Sequence, residues 1–302
     1  MADTDKGRIR NWWAHHPMTY GVLHGEPVYR TEKGDLLTVE FGSREFFEQL
    51  DKTLYNNYPE FATSNGFLGA LFPYERYRGK KVLEIGCGMG TMIMNWAQHG
   101  AEVTAVDLNP VAIAQTRRRF EIFGLTGTIL EMDANTLQFD DSSFDYVYSW
   151  GVLHHSPNLQ KSLSELLRVL RPKGEYGIML YNRASIYSWY LIRYLEGFLH
   201  GESRFLDPLA LASRYTDGDK EEGNPHTWPV TKREMKAFLS PQSSHMKAIA
   251  LGPVDSAFPP KVASFLPQRL LQAWVRRWGW GLYLTGIKRL GSSPASDPSV
   301  SA

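Results

Sequence analysis

The amino-acid sequence predicts an α/β fold, with a seven-stranded, mostly parallel sheet and helices on both faces. The first observation is the apolar run Val82-Leu83-x-Ile85, which a glycine-rich turn and a helical pattern follow directly. The second is that short apolar runs alternate with amphipathic segments, as in sheets whose strands are joined by crossover helices. The third is composition, because 302 residues that are 43% hydrophobic suit one globular domain with insertions.

Charge, cysteine content and the terminal segments predict a cytoplasmic protein. A formal net charge of +1 offers no basic footprint for nucleic acid. The single cysteine, Cys87, excludes an internal disulfide framework and suits a reducing compartment. The first residues lack the apolar core of a signal peptide, and no apolar run reaches the ~18 residues of a membrane span. We therefore expect no integral membrane association, and we expect residues 291–302 to be a disordered tail.

Residues 1–42 are predicted to form an N-terminal helical lid or arm. Bulky side chains crowd its middle, namely Trp12, Trp13, His15, His16, Met18, Tyr20 and His24. An exposed segment of this composition would be costly, so it is expected to cover another surface. It is either a structural flap packed on the domain or a lid over a substrate cleft. Such an arm could also be exchanged between the subunits of a homo-oligomer.

The core is predicted at residues 43–183 and opens with an amphipathic helix. Ser43 precedes apolar residues at helical spacing, which are Phe46, Phe47, Leu50 and Leu54. Pro59 is expected to stop this helix, and a looser helical stretch is expected to run on to Pro73. After the first strand, a helix from Thr91 to Gln98 is expected to end at Gly100.

The glycine-rich turn after the first strand is the first candidate ligand site. It consists of Glu84, Gly86, Cys87, Gly88 and Gly90. Residues without a Cβ atom permit unusual dihedrals and let a ligand approach the backbone. The helix that follows directs its free N–H groups at that ligand. A dinucleotide-binding loop would place its third glycine at position 91, which is a threonine here, and Cys87 is interpreted as a small space-filling residue.

Acidic residues end the second and third predicted strands. Residues 103–107 end in Asp107, where sheets of this kind place a carboxylate on ribose hydroxyls. Asn109 and Pro110 already start the next helix, so Asp107 is not needed as its cap. Residues 128–134 form the third strand and end in Asp133 and Ala134.

Two adjacent histidines follow the fourth predicted strand, which spans residues 144–150. His154 and His155 lie in its exit loop, and ligands of open α/β sheets bind beyond the carboxyl ends of the strands. A helix over residues 162–170 is expected to begin with a capping box formed by Ser162 and Glu165. The fifth strand is expected at residues 175–181.

The rest of the chain is predicted to complete the sheet around an insertion. Residues 184–229, rich in tyrosine and tryptophan, are interpreted as a substrate cap, and residues 230–290 as the C-terminal part of the core. Thr231 and Glu234 form a capping box that starts a helix to Leu239. Strands are expected at residues 245–251 and 281–288, the latter an antiparallel edge strand, with a helix between them inside residues 253–278.

The ordered motifs resemble those of class I S-adenosylmethionine (SAM)-dependent methyltransferases. They are the glycine loop, the acids at 107 and 133, the strand exit 145–155 and Leu170-Arg-Pro-Lys-Gly174, and the resemblance extends over residues 43–290. It implies SAM as cofactor and an antiparallel last strand. It also implies that Asp107 binds the ribose, that Asp133 accepts the adenine amino group and that the Ala134 N–H meets the ring. The remaining implied cofactor residues are those of the glycine loop, Leu108, Ser149 and Trp150.

The candidate catalytic residues are His154, His155 and Tyr20. Either histidine could take a proton near neutral pH, and Tyr20 could reach the cleft from the lid. Further cleft candidates are His15, Asn182 and Arg183. No third ligand stands out near the paired histidines, so we expect no metal ion.

Three functional hypotheses remain open. The first is an O- or N-methyltransferase of a small molecule, such as a quinone-like acceptor, with a histidine base. The second is a C-methyltransferase of an electron-rich alkene or ring. Aromatic faces would stabilise the carbocation that this reaction forms. The abundance of tryptophan and tyrosine favours the second and a hydrophobic acceptor. Separately, the segments Trp12-Trp-x-His-His-Pro-Met-Thr-Tyr20 and Trp150-Gly-Val-Leu-His-His155 resemble those of natural-product tailoring enzymes of the teleocidin type, which methylate a prenyl chain of an indole alkaloid and trigger cyclisation. The third is a catalytically silent SAM-binding protein.

Residues 256–296 carry basic but no acidic side chains, interleaved with tryptophans. The favoured interpretation is that the tryptophans pack and the cations are solvated. An interfacial helix or a subunit contact would have the same composition.

Overall fold

The computed structural model describes residues 2–22, 25–31, 33–58, 61–217, 223–252 and 267–290. The helices in these ranges are α1 (Ala2–His15), α2 (Arg44–Asn57), α3 (Thr91–Gln98), α4 (Pro110–Phe123), α5 (Leu159–Val169), α6 (Pro208–Arg214), α7 (Lys232–Leu239) and α8 (Gln268–Trp278), with a π-helix at Tyr187–Leu199. The strands are β1 (Val28–Arg30), β2 (Leu36–Thr38), β3 (Lys81–Ile85), β4 (Glu102–Asp107), β5 (Thr128–Glu131), β6 (Phe144–Trp150), β7 (Leu170–Tyr181), β8 (Ser243–Leu251) and β9 (Gly281–Lys288). None of the helices in the described ranges is long and apolar enough to cross a membrane.

Seven strands form one sheet in the order β5-β4-β3-β6-β7-β9-β8, and β1 and β2 form a separate hairpin. Neighbours from β5 to β7 are parallel, whereas β9 runs antiparallel to both β7 and β8. The predicted mostly parallel sheet with an antiparallel last strand is confirmed. The prediction that this strand forms the edge is wrong, because β9 lies between β7 and β8 and β8 occupies the edge.

Apolar side chains cover both faces of the sheet. Val82 of β3 packs in one cluster with Trp96 and Tyr148, on the face that α3 covers. Its neighbours Leu83 and Ile85 pack in a second cluster with the leucines of α5. Side chains alternate between faces along a strand, so burial of both faces explains why Val82, Leu83 and Ile85 are all apolar. The helices therefore lie on both faces, as predicted.

The predicted helix starts agree with the structure at three places. The Ser43 side chain accepts from the Phe46 N–H at the start of α2, and Asn109 accepts from Val111 at the start of α4. The Thr231–Glu234 capping box is formed at the start of α7. In each case a short polar side chain satisfies an N–H that the helix itself cannot pair, so the local sequence is sufficient.

Two helix predictions are wrong. Residues 61–73 form turns in place of a loose helix, and a 3₁₀ turn (Tyr74–Tyr77) begins only after Pro73. The helix predicted over residues 162–170 is α5, which begins earlier, at Leu159. Asn158 is its cap, so Ser162 is not a cap. Ser162 is instead buried and its hydroxyl donates to the Ser156 hydroxyl at 2.9 Å. The predictions for Pro59, His24, residues 253–266 and the tail 291–302 lie outside the described residues.

Candidate cofactor and acceptor site

A cavity of about 380 Å³ opens at the carboxyl ends of β3, β4, β6 and β7. One end is lined by the glycine loop and the strand ends beside it, including Glu84, Gly86, Cys87, Gly88, Asp107, Leu108, Asp133 and Ala134. The other end is lined by His155 and Asp217 and by aromatic and sulfur-containing side chains. These side chains are Trp13, Met18, Tyr20, Tyr58, Trp150, Met179, Tyr181 and Trp280. Its volume and its mostly apolar lining with a few convergent polar groups are typical of small-molecule sites.

The glycine loop presents backbone to this cavity. Gly86 has φ +83°, and a Cβ atom there would lie 2.3 Å from the nearest methyl of Val152. Gly88 has φ +51°, and a Cβ atom there would meet open space. Glycine is therefore required at 86 by both dihedral and packing, whereas at 88 its absent side chain leaves room beside the cavity.

The Asp107 carboxylate is held by the backbone at the end of β4. One oxygen accepts from the Gly88 N–H at 3.0 Å and the other from the Asn109 N–H at 2.9 Å. Burial raises the pKa of Asp107, and these N–H groups oppose that rise. The residue predicted to bind ribose thus lines the cavity in a fixed orientation, with lone pairs still available to hydroxyl donors.

Glu84 is the buried acid of the site. Its side chain is 2% exposed, and one carboxylate oxygen has no hydrogen-bond partner among the described residues. Burial raises the pKa of Glu84 well above its ordinary value. An orphaned carboxylate beside an open glycine loop fits a ligand that brings a cation, and SAM carries an ammonium and a sulfonium. The residues present therefore fit this cofactor.

We expect the affinity for S-adenosylhomocysteine, which keeps the ammonium group, to rise with pH until Glu84 is ionised in the free protein. A bound cation lowers the pKa of Glu84, so binding releases a proton between the bound and free pKa values and weakens as pH falls through that window. Glu84→Gln should bind about tenfold or more weakly at high pH and lose this pH dependence. Calorimetry across pH measures both effects, with exposed Glu45→Gln as the control; an unchanged pH profile in Glu84→Gln would contradict the assignment.

The start of α1 covers the predicted adenine end. Lys6 Nζ lies 3.0 Å from the Asp133 carboxylate, and Arg10 pairs with Glu131 at 2.7 Å. The Asn109 side chain donates to the Trp13 carbonyl at 2.8 Å. Three polar contacts thus join α1 to the ends of β4 and β5, and they place Trp13 at the cavity.

A buried network fixes the glycine loop from behind. The guanidinium of Arg119, on α4 and fully buried, donates to the Met89 carbonyl at 3.1 Å and to the Thr91 hydroxyl at 2.9 Å. Asp51, on α2, pairs with Arg119 and accepts from the Thr91 hydroxyl. Burial raises the pKa of Asp51, and the charge of Arg119 opposes this. The sequence analysis missed this network, because its members are 28 to 68 residues apart along the chain.

His155 and Asp217 lie side by side at the aromatic end. His155 Nδ1 donates to the His226 carbonyl at 2.8 Å, and Nε2 lies 3.2 Å from an Asp217 oxygen. The Tyr181 hydroxyl donates to both Asp217 oxygens at 2.7 and 2.8 Å. Burial alone would raise the pKa of Asp217, but the hydrogen bond and charge of His155 and the Tyr181 hydroxyl lower it to about 2. Asp217 is therefore a carboxylate, and both ring nitrogens of His155 face oxygen atoms, one the His226 carbonyl and the other Asp217.

His154 lies beneath this pair and away from the cavity. It is fully buried, and its ring centroid lies 3.9 Å from that of Tyr181 and 4.2 Å from that of His155. Burial and the neighbouring His155 lower its pKa well below the ordinary value, so the ring is neutral. One ligand atom from each of His154, His155 and Asp217 lies within 4.8 Å of the others, a spacing that a metal ion could use. Asp217 is thus a third potential ligand that the sequence did not reveal, and the absence of a metal stays a prediction.

Several predicted site residues do not line the cavity. Gly90 has φ +76° and caps α3 against Thr116, and the buried Ser149 hydroxyl donates to the Ile85 carbonyl at 2.7 Å. These two and His154 serve packing in the described structure. The other cleft candidates also have partners elsewhere: His15 bonds the Asn11 carbonyl, Asn182 donates to the Gly279 carbonyl and Arg183 pairs with Glu234. Position just after a strand was insufficient to predict which side chains turn inwards.

Comparison with known proteins supports the cofactor assignment. The family described as "Methyltransferase domain" matches residues 82–174. The phthiotriol/phenolphthiotriol dimycocerosates methyltransferase of Mycobacterium leprae is 39% identical over 98 residues, which are 32% of this chain and 36% of that protein. The sterol 4-C-methyltransferase of Caenorhabditis elegans is 34% identical over 96 residues, 31% of this chain and 29% of that protein. The chain thus spans about a third of the length of these curated relatives.

A solved structure extends the likeness to the fold. The chain is similar to a SAM-dependent methyltransferase from Methanosarcina mazei, with a TM-score of 0.52 and 22% identity, over 73% of this chain and 99% of that one. Residues 82–174 thus match a methyltransferase-domain family, the chain has the fold of this solved SAM-dependent methyltransferase, and SAM is the expected cofactor.

Proposed function

We propose that the protein transfers the methyl group of SAM to a hydrophobic small molecule. The favoured reaction is C-methylation of a prenyl or terpenoid chain of an indole-type natural product, followed by cyclisation. The observation that carries the proposal is the aromatic end of the cavity with one ionised carboxylate in it. Trp13, Tyr20, Trp150 and Trp280 line a space next to the glycine loop, and Asp217 faces the same space.

The chemistry of C-methylation matches these groups. The π electrons of the alkene form the new carbon–carbon bond as the bond from methyl to sulfur breaks, which leaves a positive charge on the neighbouring carbon. Aromatic faces attract such a cation, and so does the carboxylate of Asp217 in a site of low dielectric. Ring closure or loss of a proton then removes the charge. A relative named for sterol C-methylation supports carbon as the acceptor atom.

O- or N-methylation with a histidine base is the alternative. His155 lines the cavity, but its two ring nitrogens face the His226 carbonyl and Asp217. A base needs a free lone pair near the proton it removes. His155 would have to leave Asp217 before it could act, and this requirement favours C-methylation.

Incubation of the protein with SAM and a panel of prenylated indoles, phenols and quinones tests the proposal. We expect a prenylated indole to gain the mass of one methylene. We expect NMR to show that the new methyl group is bonded to carbon. Methylation of oxygen or nitrogen would overturn C-methylation in favour of the histidine alternative. Silence across the panel, with S-adenosylhomocysteine still bound, would overturn the substrate class. Activity that is lost with EDTA and restored by a metal would overturn the metal-free prediction.

A further inference from the structure

We propose that the insertion after β7 is a docking surface for an anionic lipid bilayer. The surface consists of the exposed side chains of residues 187–205 and is called the aromatic face below. Its apolar members are Trp189, Tyr190, Tyr194, Phe198, Leu199 and Phe205. The inference goes beyond the proposed methyl transfer and does not depend on it.

The rings of the aromatic face form a continuous stripe. In a helix with i→i+5 hydrogen bonds, residues four and five positions apart lie above one another. Accordingly, Tyr194 stacks with Trp189, Tyr190 and Phe198, at centroid distances of 6.0 to 6.3 Å. Trp189 is 64% exposed and Phe198 is 73% exposed. Contiguous exposure of such large apolar groups marks an interaction site.

The charge on the aromatic face has one sign. Arg193 and Arg204 are exposed within it. The two acids of residues 187–205 are withdrawn: Glu196 is 8% exposed and accepts from His200 at 2.7 Å, and Glu202 accepts from the Tyr215 hydroxyl at 2.6 Å. Cations interleaved with exposed tryptophan, tyrosine and phenylalanine suit a membrane interface, where rings enter the headgroup region and cations meet anionic lipid.

A second basic and aromatic segment contacts the start of the π-helix through Trp280. Helix α8 exposes Arg269, Leu270, Trp274, Arg276 and Arg277, and residues 267–290 contain no acidic residue. Trp280 follows the end of α8 and lines the cavity. Its ring centroid lies 4.9 Å from that of Tyr187 in the π-helix and 4.5 Å from that of Tyr181. The two segments therefore adjoin the acceptor end of the cavity, where an apolar molecule leaving a bilayer would enter.

The same charge pattern disfavours a second copy as the occupant. A two-fold symmetric contact places the same patch on both subunits, so it would bring the arginines of two aromatic faces together without exposed carboxylates of residues 187–205 to pair with them. A bilayer that contains anionic lipid has the complementary charge.

Flotation of the full-length protein with vesicles tests the proposal. We expect binding to vesicles of phosphatidylcholine with phosphatidylglycerol, much weaker binding to phosphatidylcholine alone, and weakening by salt. Trp189→Ser/Phe198→Ser should lower the partition coefficient by about tenfold or more. Arg193→Gln/Arg204→Gln should lower it by about fivefold for each charge, on anionic vesicles only. The matched control, Leu36→Ser/Val22→Ser, removes two side chains that are 62% and 44% exposed outside both segments and should bind like the parent.

Circular dichroism and light scattering complete the test. All variants replace exposed side chains, so they should keep the parent spectrum and unfolding temperature. Failure of the folded parent to bind anionic vesicles would overturn the proposal, as would unchanged binding by Trp189→Ser/Phe198→Ser. A parent dimer that this variant converts to a monomer would show that a second copy covers the aromatic face, which also overturns it.

Discussion

Replacing Asp217 by asparagine is expected to lower kcat by about 10²- to 10³-fold while S-adenosylhomocysteine binds as before. Asparagine keeps the shape of the side chain and can still accept from Tyr181, but it removes the negative charge that faces the aromatic end of the cavity. The loss should therefore fall on the charged transition state. Single-turnover kinetics with saturating SAM measure the loss, and calorimetry measures cofactor binding.

Tyr181→Phe is the matched control for this substitution. It removes one hydrogen bond to Asp217 and leaves the carboxylate and its contact with His155, so a loss of only about tenfold is expected. If Asp217→Asn instead abolishes cofactor binding or lowers the unfolding temperature far more than Tyr181→Phe does, the role of Asp217 is structural.

The pH dependence of stability gives an independent measurement on the same residue. The folded-state pKa of Asp217 is about 2, below the ordinary value of 3.8. The stabilisation from its ionised form is therefore fully present above the ordinary pKa and is lost as pH falls through it towards about 2. Denaturant titrations between pH 7 and the onset of acid unfolding should show a smaller loss of stability in Asp217→Asn than in the parent. An equal loss in both proteins would contradict the lowered pKa of Asp217.

Gly86→Ala is expected to destabilise the protein and to weaken S-adenosylhomocysteine binding by about a hundredfold or more. A Cβ atom at this position would lie within 2.6 Å of three atoms of Val152, and the backbone has φ +83°. Overpacking costs about 1–3 kcal/mol, and the left-handed dihedral adds about 1–2 kcal/mol. Relief of the contact requires the loop to move away from the cavity that it lines.

Gly88→Ala separates the two reasons for glycine in this loop. Its φ is also positive, but a Cβ atom there meets open space, so only the dihedral cost of about 1–2 kcal/mol is expected. Chemical denaturation of both variants gives the difference in unfolding free energy. If Gly86→Ala is as stable as Gly88→Ala, Val152 does not constrain the loop.

Local chemistry explains why much of the fold was predictable. The start of α4 at Asn109-Pro110, the capping box at Thr231 and the run Val82–Ile85 each carry their structural reason within a few residues. Ser162 shows the limit of that reasoning. It has the spacing of a cap, but Asn158 starts the helix one turn earlier, and Ser162 is left buried against Ser156. Spacing alone does not show which of two nearby polar residues caps the helix.

The cofactor end of the cavity follows from the sequence for the same reason. Glu84, Asp107 and Asp133 end or flank strands of a parallel sheet, and the carboxyl ends of such strands meet at one edge. Adjacent residues in a loop point in different directions, however. His155 lines the cavity and its neighbour His154 is buried beneath it, a difference that only packing against Tyr181 decides.

By itself, the sequence determined the α/β sheet, the glycine loop and the acids beside it, because each depends on periodicity, caps or position after a strand. The tertiary structure alone decided that Asp217, in the insertion, meets His155 and Tyr181, and that Arg119 and Asp51 hold the loop from behind. These partners are 36 to 68 residues apart in sequence. Contacts over such separations depend on how helices pack on the sheet, and a buried charge reveals its partner only when both are in place.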